Sequence, residues 1–348
     1  MNIPSNCELV DPEFVDQRAA ERVTAVLKRH VKIQSTPSAV AAVLTRDGIV
    51  ARWSVGRHTY SDESQAVRVS DLFDLASVTK IVATGMLYAR LSEKGTVDLD
   101  APVSEIIPEF SDRVEITPRV LLSHCSGLPA HAHLFKRLID REEVIHAVCT
   151  MALEYEPLTR SVYSDMGYIL LGEILERKTG RPLNELFRDH VREPLGLHET
   201  VFSPGESALD RVVPTEDDTT WRGRLVHGEV HDENASVMRG IAPHAGLFAT
   251  VDNLSRFAQL WLNDGSLEGQ RFLAPETVRM FRTRANWVEG STWALGWDTV
   301  SAGDSASGRH FSPESYGILG FTGASVWVDP GRGIAVVLLT NRVHPRRD

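Results

Sequence analysis

The chain has 348 residues, of which 42% are hydrophobic and 24% charged, so it can bury a large core in one large domain or two interlocked ones. Its formal net charge of −10 and its isoelectric point near 5.7 argue against nucleic acid and against an anionic membrane as partners, because both select basic surfaces. No apolar run approaches the length of a membrane span, and the sequence leaves the oligomeric state unknown.

The first predicted element is a helix that begins at Asp11-Pro12 and carries an apolar stripe at helical spacing as far as Val31. Two β-rich runs follow, Ser38–Arg46 and Ile49–Gly56, and the Asp47-Gly48 pair between them predicts a hairpin. Asp71–Ala76 then predicts an extended approach to an apolar helix, which covers residues 81–91 and is closed by Gly95.

The middle of the chain is mainly helical, and strands return near its end. The predicted helices are Thr117–Ser123, Glu142–Ala152, Asp165–Thr179 closed by Gly180, Leu183–Val191 and Asn253–Asn263, and the predicted late strands are Trp293–Val300, Ser325–Asp329 and Ile334–Thr340. Residues 196–237 are polar and irregular, which favours a long excursion near a functional site.

This order of elements predicts an α/β (α+β) fold with an antiparallel sheet formed from both chain ends, flanked by helices, and a mainly helical middle region. We expect a single domain over residues 1–348, with its sheet part at about 1–75 and 290–348 and its helical part at about 76–289.

The cysteine content and the start of the chain bear on the compartment. Cys7, Cys125 and Cys149 are too few for a disulfide framework, and the first residues lack the basic start and apolar core of a signal peptide. We therefore expect a cytoplasmic protein. A periplasmic or secreted location fits if a leader has been removed.

Ser77-Val78-Thr79-Lys80 is the most informative motif for function. Lys80 is the only lysine that has a serine three residues before it, and the pair stands where the extended segment enters the apolar helix. Such spacing places both side chains on one helix face, and the free N–H groups of a helix start can stabilise negative charge on a reacting oxygen. A serine hydroxyl becomes a useful nucleophile when a neighbour takes its proton.

Two other segments can contribute to the same chemistry. Tyr163 precedes the predicted helix at Asp165, where a tyrosine can pass a proton if a nearby ammonium lowers its pKa. The alternative is that Tyr163 only packs and Asp165 caps the helix. Near the chain end, glycines at 317, 320 and 323 permit close backbone approach to a ligand and offer N–H groups to an oxyanion. The alternative there is a bulged strand.

Together these motifs resemble the serine β-lactamase and penicillin-binding protein superfamily, on its class C-like branch. Ser77-x-x-Lys80 is similar to the nucleophile motif, and Tyr163-Ser164-Asp165 stands in the place of the Tyr-x-Asn motif. Gly320-Phe321-Thr322-Gly323 falls where a Lys-Thr-Gly or His-Thr-Gly strand is expected, and residues 121–129 are similar to a Leu-Leu-x-His-Thr-Ser-Gly-Leu segment. The resemblance implies a β-lactamase/transpeptidase-like fold.

Three further segments resemble a narrower bacterial subgroup that includes DD-carboxypeptidases and amidases of peptidoglycan fragments. They are residues 231–235, 244–248 and 340–345.

The third motif departs from the family pattern. No lysine follows Lys178, and an apolar residue, Ile318 or Phe321, stands where relatives place a cation or imidazole for a substrate carboxylate. If Ile318-Leu319-Gly320 is aligned with the family's His-Thr-Gly, Phe321 contributes the oxyanion N–H. If Phe321-Thr322-Gly323 is aligned with it, Ala324 does. We therefore expect slow or absent turnover of penicillins and D-alanyl-D-alanine peptides, and measurable hydrolysis of small uncharged esters, unless Arg342 reaches back to the cleft.

The histidines have plainer alternatives. His124, His131 and His133 lie near Cys125, but their spacing fits no strong zinc pattern, so we expect no metal. His244 is a candidate for substrate contact, although its small neighbours favour a hydrogen-bonded core histidine.

We thus expect a serine hydrolase that forms an acyl-enzyme on a small amide or ester, with a peptidoglycan-derived substrate preferred and no metal or organic cofactor. Ser77, Lys80 and Tyr163 are the predicted catalytic residues, and Asp165 near Lys80 favours the ammonium form and leaves Tyr163 as proton acceptor. The alternatives are a carboxylesterase, a DD-carboxypeptidase or β-lactamase, or a non-catalytic binding or sensor protein. The predicted substrate-binding residues are Asp165, His244, Gly320, Phe321, Thr322, Gly323 and Ala324.

Overall fold

The computed structural model describes residues 3–110 and 115–347. Its strands are β1 Ser5–Leu9, β2 Ser38–Thr45, β3 Gly48–Gly56, β4 Phe73–Asp74, β5 Thr200–Phe202, β6 Asp217–Asp218, β7 Arg224–Leu225, β8 Leu247–Ala249, β9 Ser266–Leu267, β10 Gln270–Arg271, β11 Asp298–Thr299, β12 Tyr316–Leu319, β13 Ser325–Asp329 and β14 Ile334–Thr340. Its α-helices are α1 Gln17–Lys32, α2 Met86–Glu93, α3 Pro118–Leu122, α4 Arg141–Cys149, α5 Asp165–Thr179, α6 Leu183–Phe187, α7 Glu233–Val237, α8 Val251–Leu262 and α9 Pro275–Arg282.

The main sheet joins the two ends of the chain. Seven strands lie in the order β1-β3-β2-β14-β13-β12-β11, and every neighbouring pair is antiparallel. The central pair is β2 with β14, whose register runs from Thr45 opposite Ile334 to Ala39 opposite Thr340. The predicted sheet built from both termini, and the α+β class, are confirmed.

Helices cover both faces of this sheet. The amphipathic α8 packs on β2, β13 and β14, and its buried Phe257 and Trp261 belong to the main core. On the other face, α1 packs on β3 through a smaller cluster that includes Ala20 and Trp53. None of the helices in the described ranges is long and apolar enough to cross a membrane.

Several predicted boundaries shift for identifiable reasons. The hairpin forms as predicted, but its turn is Arg46-Asp47, because Thr45 pairs with Gly48. The first helix begins at Gln17 and not at Asp11, because Asp11 caps a separate turn and Asp16 accepts the Ala19 N–H as the helix N-cap. In contrast, α5 has the predicted bounds, with Ser164 as its N-cap and Gly180 at φ 68° after its last residue.

Other predicted elements are shorter or divided. The predicted strand at 293–300 is reduced to β11, and the extended approach at 71–76 contains only β4. The predicted apolar helix at 81–91 is a π-helical segment, Lys80–Gly85, continued by α2. The edge strand β1 lacks a strong apolar pattern and was not predicted.

Asn341, directly after β14, ties the two chain ends together. Its side chain is buried, donates to the carbonyl oxygens of His58 and Pro214 at 2.9 Å each, and accepts a hydrogen bond from the Ser38 hydroxyl at 2.7 Å. A buried amide with all three partners in place stabilises the fold mainly because their loss would leave polar groups without partners.

We predict that Asn341→Ala lowers the free energy of unfolding by about 3 kcal/mol, because it leaves buried polar groups without partners. Urea denaturation followed by circular dichroism measures the change. Asn184→Ala, at an exposed position of α6, is the matched control and should change stability little. Equal unfolding midpoints for the two variants would contradict the role assigned to Asn341.

Candidate active site

A cleft of about 640 Å³ opens where the segment after β4, the start of α5, the end of β12 and the residues after β14 converge. Ser77, Tyr163, Asp165, Gly320 and Phe321 line it, so the structure brings together the three segments that the sequence singled out. Residues 231–233 and 244–245 complete the wall. They lie in or after the irregular excursion that was expected near a site.

The turn that presents Ser77 is held by a buried carboxylate. Ala76 has a positive φ of 44°, and its N–H donates to Asp74 Oδ1 at 2.8 Å. The other oxygen of Asp74 accepts the His231 N–H at 2.7 Å, which ties this turn to the opposite wall. Burial raises the pKa of Asp74, although these two hydrogen bonds oppose the rise.

Lys80 lies on the floor of the site with no solvent exposure. Its Nζ donates to Ser77 Oγ at 3.1 Å and to the His244 carbonyl at 3.0 Å, and it lies 2.7 Å from Asp165 Oδ1. Burial alone would lower the pKa of Lys80, but the Asp165 carboxylate outweighs it and raises that pKa to about 12. The resting lysine is therefore an ammonium at neutral pH.

Asp165 is the counter-ion of this ammonium. Burial would raise its pKa, but Lys80 and a hydrogen bond from His131, at 3.4 Å, hold the pKa of the Asp165 carboxyl well below its usual range. The same contact, which is the largest influence on His131, raises the pKa of that exposed imidazole. Asp165 thus links Lys80 to the cleft rim.

Tyr163 does not have the lowered pKa that a nearby ammonium alone would produce. Its hydroxyl is buried, and burial raises its pKa more than Lys80, 4.9 Å from the ring centre, can lower it. Ser77 and Lys80 lie close enough to oppose this rise, but no group in the described ranges meets hydrogen-bond geometry with the Tyr163 oxygen. The resting tyrosine is a phenol.

His124 positions the segment that carries Tyr163. Its Nδ1 accepts the Ser164 N–H at 3.1 Å, and its ring packs against those of Tyr163 and Trp293 at 4.6 and 4.5 Å between centroids. Burial, aided by the charge of Lys80, lowers the pKa of His124 to about 3. It is therefore a neutral supporting residue.

Only part of the third segment, residues 316–327, lines the cleft. Leu319, Gly320 and Phe321 line the cleft, whereas Thr322, Gly323 and Ala324, which we also predicted to bind substrate, do not. Thr322 is buried, and its hydroxyl already donates to the Asp74 carbonyl at 2.7 Å. Gly320 is required because a Cβ there would lie 2.5 Å from the Leu75 carbonyl oxygen.

Arg342 also lines the cleft. It therefore meets the condition under which it could replace the cation or imidazole that the third motif lacks. Its guanidinium lies 5.1 Å from the centre of the Phe321 ring, which in turn stacks on His231 at 5.7 Å. Within residues 3–110 and 115–347, no carboxylate forms an ion pair with Arg342. Its N–H donates to the Thr322 carbonyl at 3.0 Å, which fixes its backbone beside the third segment.

Sequence reasoning singled out His244 on the other charged wall of the cleft but missed Asp232, Glu233 and Arg347. Asp232 pairs with His244 at 3.0 Å, and Glu233 pairs with Arg347 at 2.8 Å. The one sequence feature that pointed to Asp232 and Glu233 was the resemblance of residues 231–235 to a bacterial subgroup. The part of the chain that the structure describes contains no group of three or more histidine, cysteine or acidic side chains suited to hold a metal ion.

Comparisons with known proteins agree on one family. A family model described as Beta-lactamase matches residues 23–348. The chain is 29% identical to the "N-acetylmuramyl-L-alanine amidase" of Bacillus subtilis (strain 168), over 97% of this chain and 85% of that protein. It is 32% identical to the "Putative D-alanyl-D-alanine carboxypeptidase" of Escherichia coli (strain K12), over 78% of this chain and 69% of that protein. The crystal structure of a family VIII carboxylesterase has a similar fold, with a TM-score of 0.74, 20% identity, and coverage of 98% of this chain and 94% of that one.

We predict that Asp165→Asn lowers the pKa of Lys80 by about 1–3 pH units, because the carboxylate is what offsets burial of the ammonium. The chain has six lysines, so ¹³C-labelled lysine gives a simple spectrum in which Lys80 is identified by its loss in Lys80→Arg. Lys80 should stay an ammonium through about pH 10 in the wild type, and its titration should move to lower pH in the variant by the same interval. Asp62→Asn, an exposed and distant change, is the control. An unaltered Lys80 titration in Asp165→Asn would contradict the electrostatic account.

Proposed function

The chain belongs to the beta-lactamase family and is a serine hydrolase acting on an amide or ester, and from this premise we propose that Ser77 is the residue acylated by its substrate. The observation that carries the proposal is the 3.1 Å contact between Ser77 Oγ and the buried Lys80 Nζ. A hydroxyl fixed beside a buried proton-carrying group in a cleft is the arrangement that nucleophilic catalysis needs.

The oxyanion of the tetrahedral intermediate would be held by two backbone N–H groups, those of Ser77 and Phe321. Ser77 stands in the first turn of a 3-10 helix, Ala76–Val78, where N–H groups lack helical acceptors. Phe321 lines the cleft and Ala324 does not, which favours the alignment that gives this role to Phe321. Donors fixed before the reaction need no reorganisation when charge develops.

The proton steps involve Lys80 and Tyr163. In the form of the site in which Tyr163 has lost its proton to solvent, Ser77 Oγ bonds to the substrate carbonyl carbon while its proton passes to the Tyr163 phenolate, with Lys80 as the cationic neighbour. Tyr163 then gives this proton to the departing amine or alcohol as the carbon–leaving-group bond breaks. Water then attacks the acyl carbon and gives a proton to Tyr163. Tyr163 passes this proton to Ser77 Oγ as the bond between Ser77 and the acyl group breaks and the acid is released. The high pKa of Lys80 supports Tyr163 as the acceptor, and the raised pKa of Tyr163 means that its deprotonated form is scarce at rest.

We expect Ser77→Ala to abolish covalent labelling by a fluorophosphonate, detected as the loss of the mass increase of the intact protein. The melting temperature should stay close to that of the wild type, because the substitution removes the hydrogen bond from Lys80 to the Ser77 hydroxyl, while Lys80 keeps Asp165 and the His244 carbonyl as partners. Ser61→Ala, an exposed serine, is the control and should label as the wild type does. Continued labelling of Ser77→Ala would reject Ser77 as the nucleophile.

The substrate that we favour is a peptidoglycan-derived amide that carries a carboxylate near the scissile bond. The names of the two relatives support this class, and Arg342 supplies a cation where the third motif has none. The Arg342 guanidinium lies 5.1 Å from the centre of the Phe321 ring, and a guanidinium can bind a carboxylate through two N–H groups. Arg342 thus removes the reason for expecting poor turnover of carboxylate substrates. A carboxylesterase is the second candidate, because the half-exposed Leu319 and Phe321 give the cleft an apolar side.

Arg342→Gln tests this substrate class. Two phenyl acetates that differ only in a carboxylate or a carboxamide on the leaving phenol are compared by kcat/KM. We expect the variant to lose about thirty- to hundred-fold for the carboxylate ester, corresponding to about 2–3 kcal/mol for one charge-assisted contact, and little for the carboxamide.

Arg346→Gln is the control, because Arg346 is exposed and does not line the cleft. Equal losses for both esters in Arg342→Gln would show that Arg342 supports the cleft without binding a carboxylate.

A further inference from the structure

Asp232 and His244 come from two segments that take no part in the proposed acylation chemistry, yet they meet inside the cleft. His244 Nε2 lies 3.0 Å from Asp232 Oδ1, and both residues line the wall. Asp232 is itself fixed, because the same oxygen accepts the Ala235 N–H at 2.7 Å and so caps α7. The imidazole is therefore held by a partner that cannot easily turn away.

The position of His244 relative to the reacting groups is set by its backbone. Its carbonyl oxygen accepts a hydrogen bond from Lys80 Nζ at 3.0 Å, and Lys80 in turn contacts Ser77. His244 is only 1% exposed and lines the same cleft as Ser77.

One nitrogen of this imidazole has nothing to bind. A carboxylate accepts the proton of Nε2, so the neutral ring carries a lone pair on Nδ1. Nδ1 is buried and has no hydrogen-bond partner among the residues that the structure describes. Buried polar atoms are nearly always paired, because leaving one unpaired costs free energy that folding does not recover. An oriented acceptor left open in a cleft wall is suited to a donor that arrives with the ligand.

We propose that His244 Nδ1 accepts a hydrogen bond from an N–H or O–H that the substrate carries on its acyl side, beside the reacting carbonyl. This inference rests on the proposed function, and it narrows the substrate class to acyl groups of the N-acylamino or hydroxyacyl kind. Asp232 serves as the positioning residue that sets the tautomer. A subsite of this kind discriminates strongly, because a substrate without the donor leaves the buried acceptor unpaired.

Two p-nitrophenyl esters of equal length test the proposal. N-acetylglycine p-nitrophenyl ester carries an N–H where the 4-oxopentanoate ester carries a CH₂. After correction for the rates at which hydroxide cleaves each ester, the wild type should favour the N-acetylglycine ester by about tenfold or more in kcat/KM. His244→Phe, which keeps a ring but removes the acceptor, should abolish this preference while still cleaving the 4-oxopentanoate ester.

Two further variants keep the outcome clear. His133→Phe, at a cleft histidine without a carboxylate partner, should retain the wild-type preference. His244→Gln, which restores a polar side chain, should recover part of it even if His244→Phe is poorly folded by circular dichroism.

An unchanged preference in folded His244→Phe, or no preference in the wild type, would overturn the subsite and leave the proposed function standing. Failure of the wild type to cleave either ester, together with failure of Ser77 to label, would overturn the proposed function and the subsite with it.

Discussion

The buried ion pair of Lys80 and Asp165 is the constraint on which the rest of the site depends. Taking an ammonium and a carboxylate out of water is costly, and their attraction offsets that cost only when both are well placed and fully bonded. Lys80 meets this requirement with Asp165, Ser77 and the His244 carbonyl, and Asp165 adds a contact from His131. Each partner comes from a different segment of the chain, so the pair can form only when the cleft is assembled.

Asp74, a buried carboxylate outside the cleft lining, also positions several segments of the cleft. Asp74 holds the Ala76 turn with one oxygen and the His231 backbone with the other, and the Asp74 carbonyl accepts the Thr322 hydroxyl. The turn that carries Ser77, the irregular segment and the end of the third motif are therefore fixed to one short strand. A hydroxyl that bonds a backbone carbonyl in this way contributes placement and not substrate contact, which is why Thr322 lies outside the cleft lining although its motif was predicted to bind substrate.

Sequence patterns predicted the features that depend on local chemistry or on a short spacing. The Ser77–Lys80 contact, the bounds of α5 and the strands β13 and β14 belong to this class, because a cap, an i,i+3 pair or an apolar run determines each of them. Features that depend on burial were not predictable. The upward pKa shift of Tyr163 results from packing against residues distant in sequence, and the place of Arg342 depends on the register of β14 beside β13. Neither is encoded in the residues next to it.

The resting charges also limit how the reaction can start. Lys80, with a pKa of about 12, holds its proton at neutral pH, and removing it would cost about 7 kcal/mol at pH 7. A kcat near 10 s⁻¹ corresponds to a barrier of about 16 kcal/mol, so such a cost fits within an enzymatic barrier but consumes much of it. Removing the proton of Tyr163 carries a similar kind of cost, because burial raises its pKa above the ordinary value. The base is therefore scarce in the free protein, and groups that the substrate brings into contact with Lys80, Tyr163 or the cleft wall can change its availability. In the proposed mechanism, substrate recognition and proton transfer are therefore coupled through the same few buried groups.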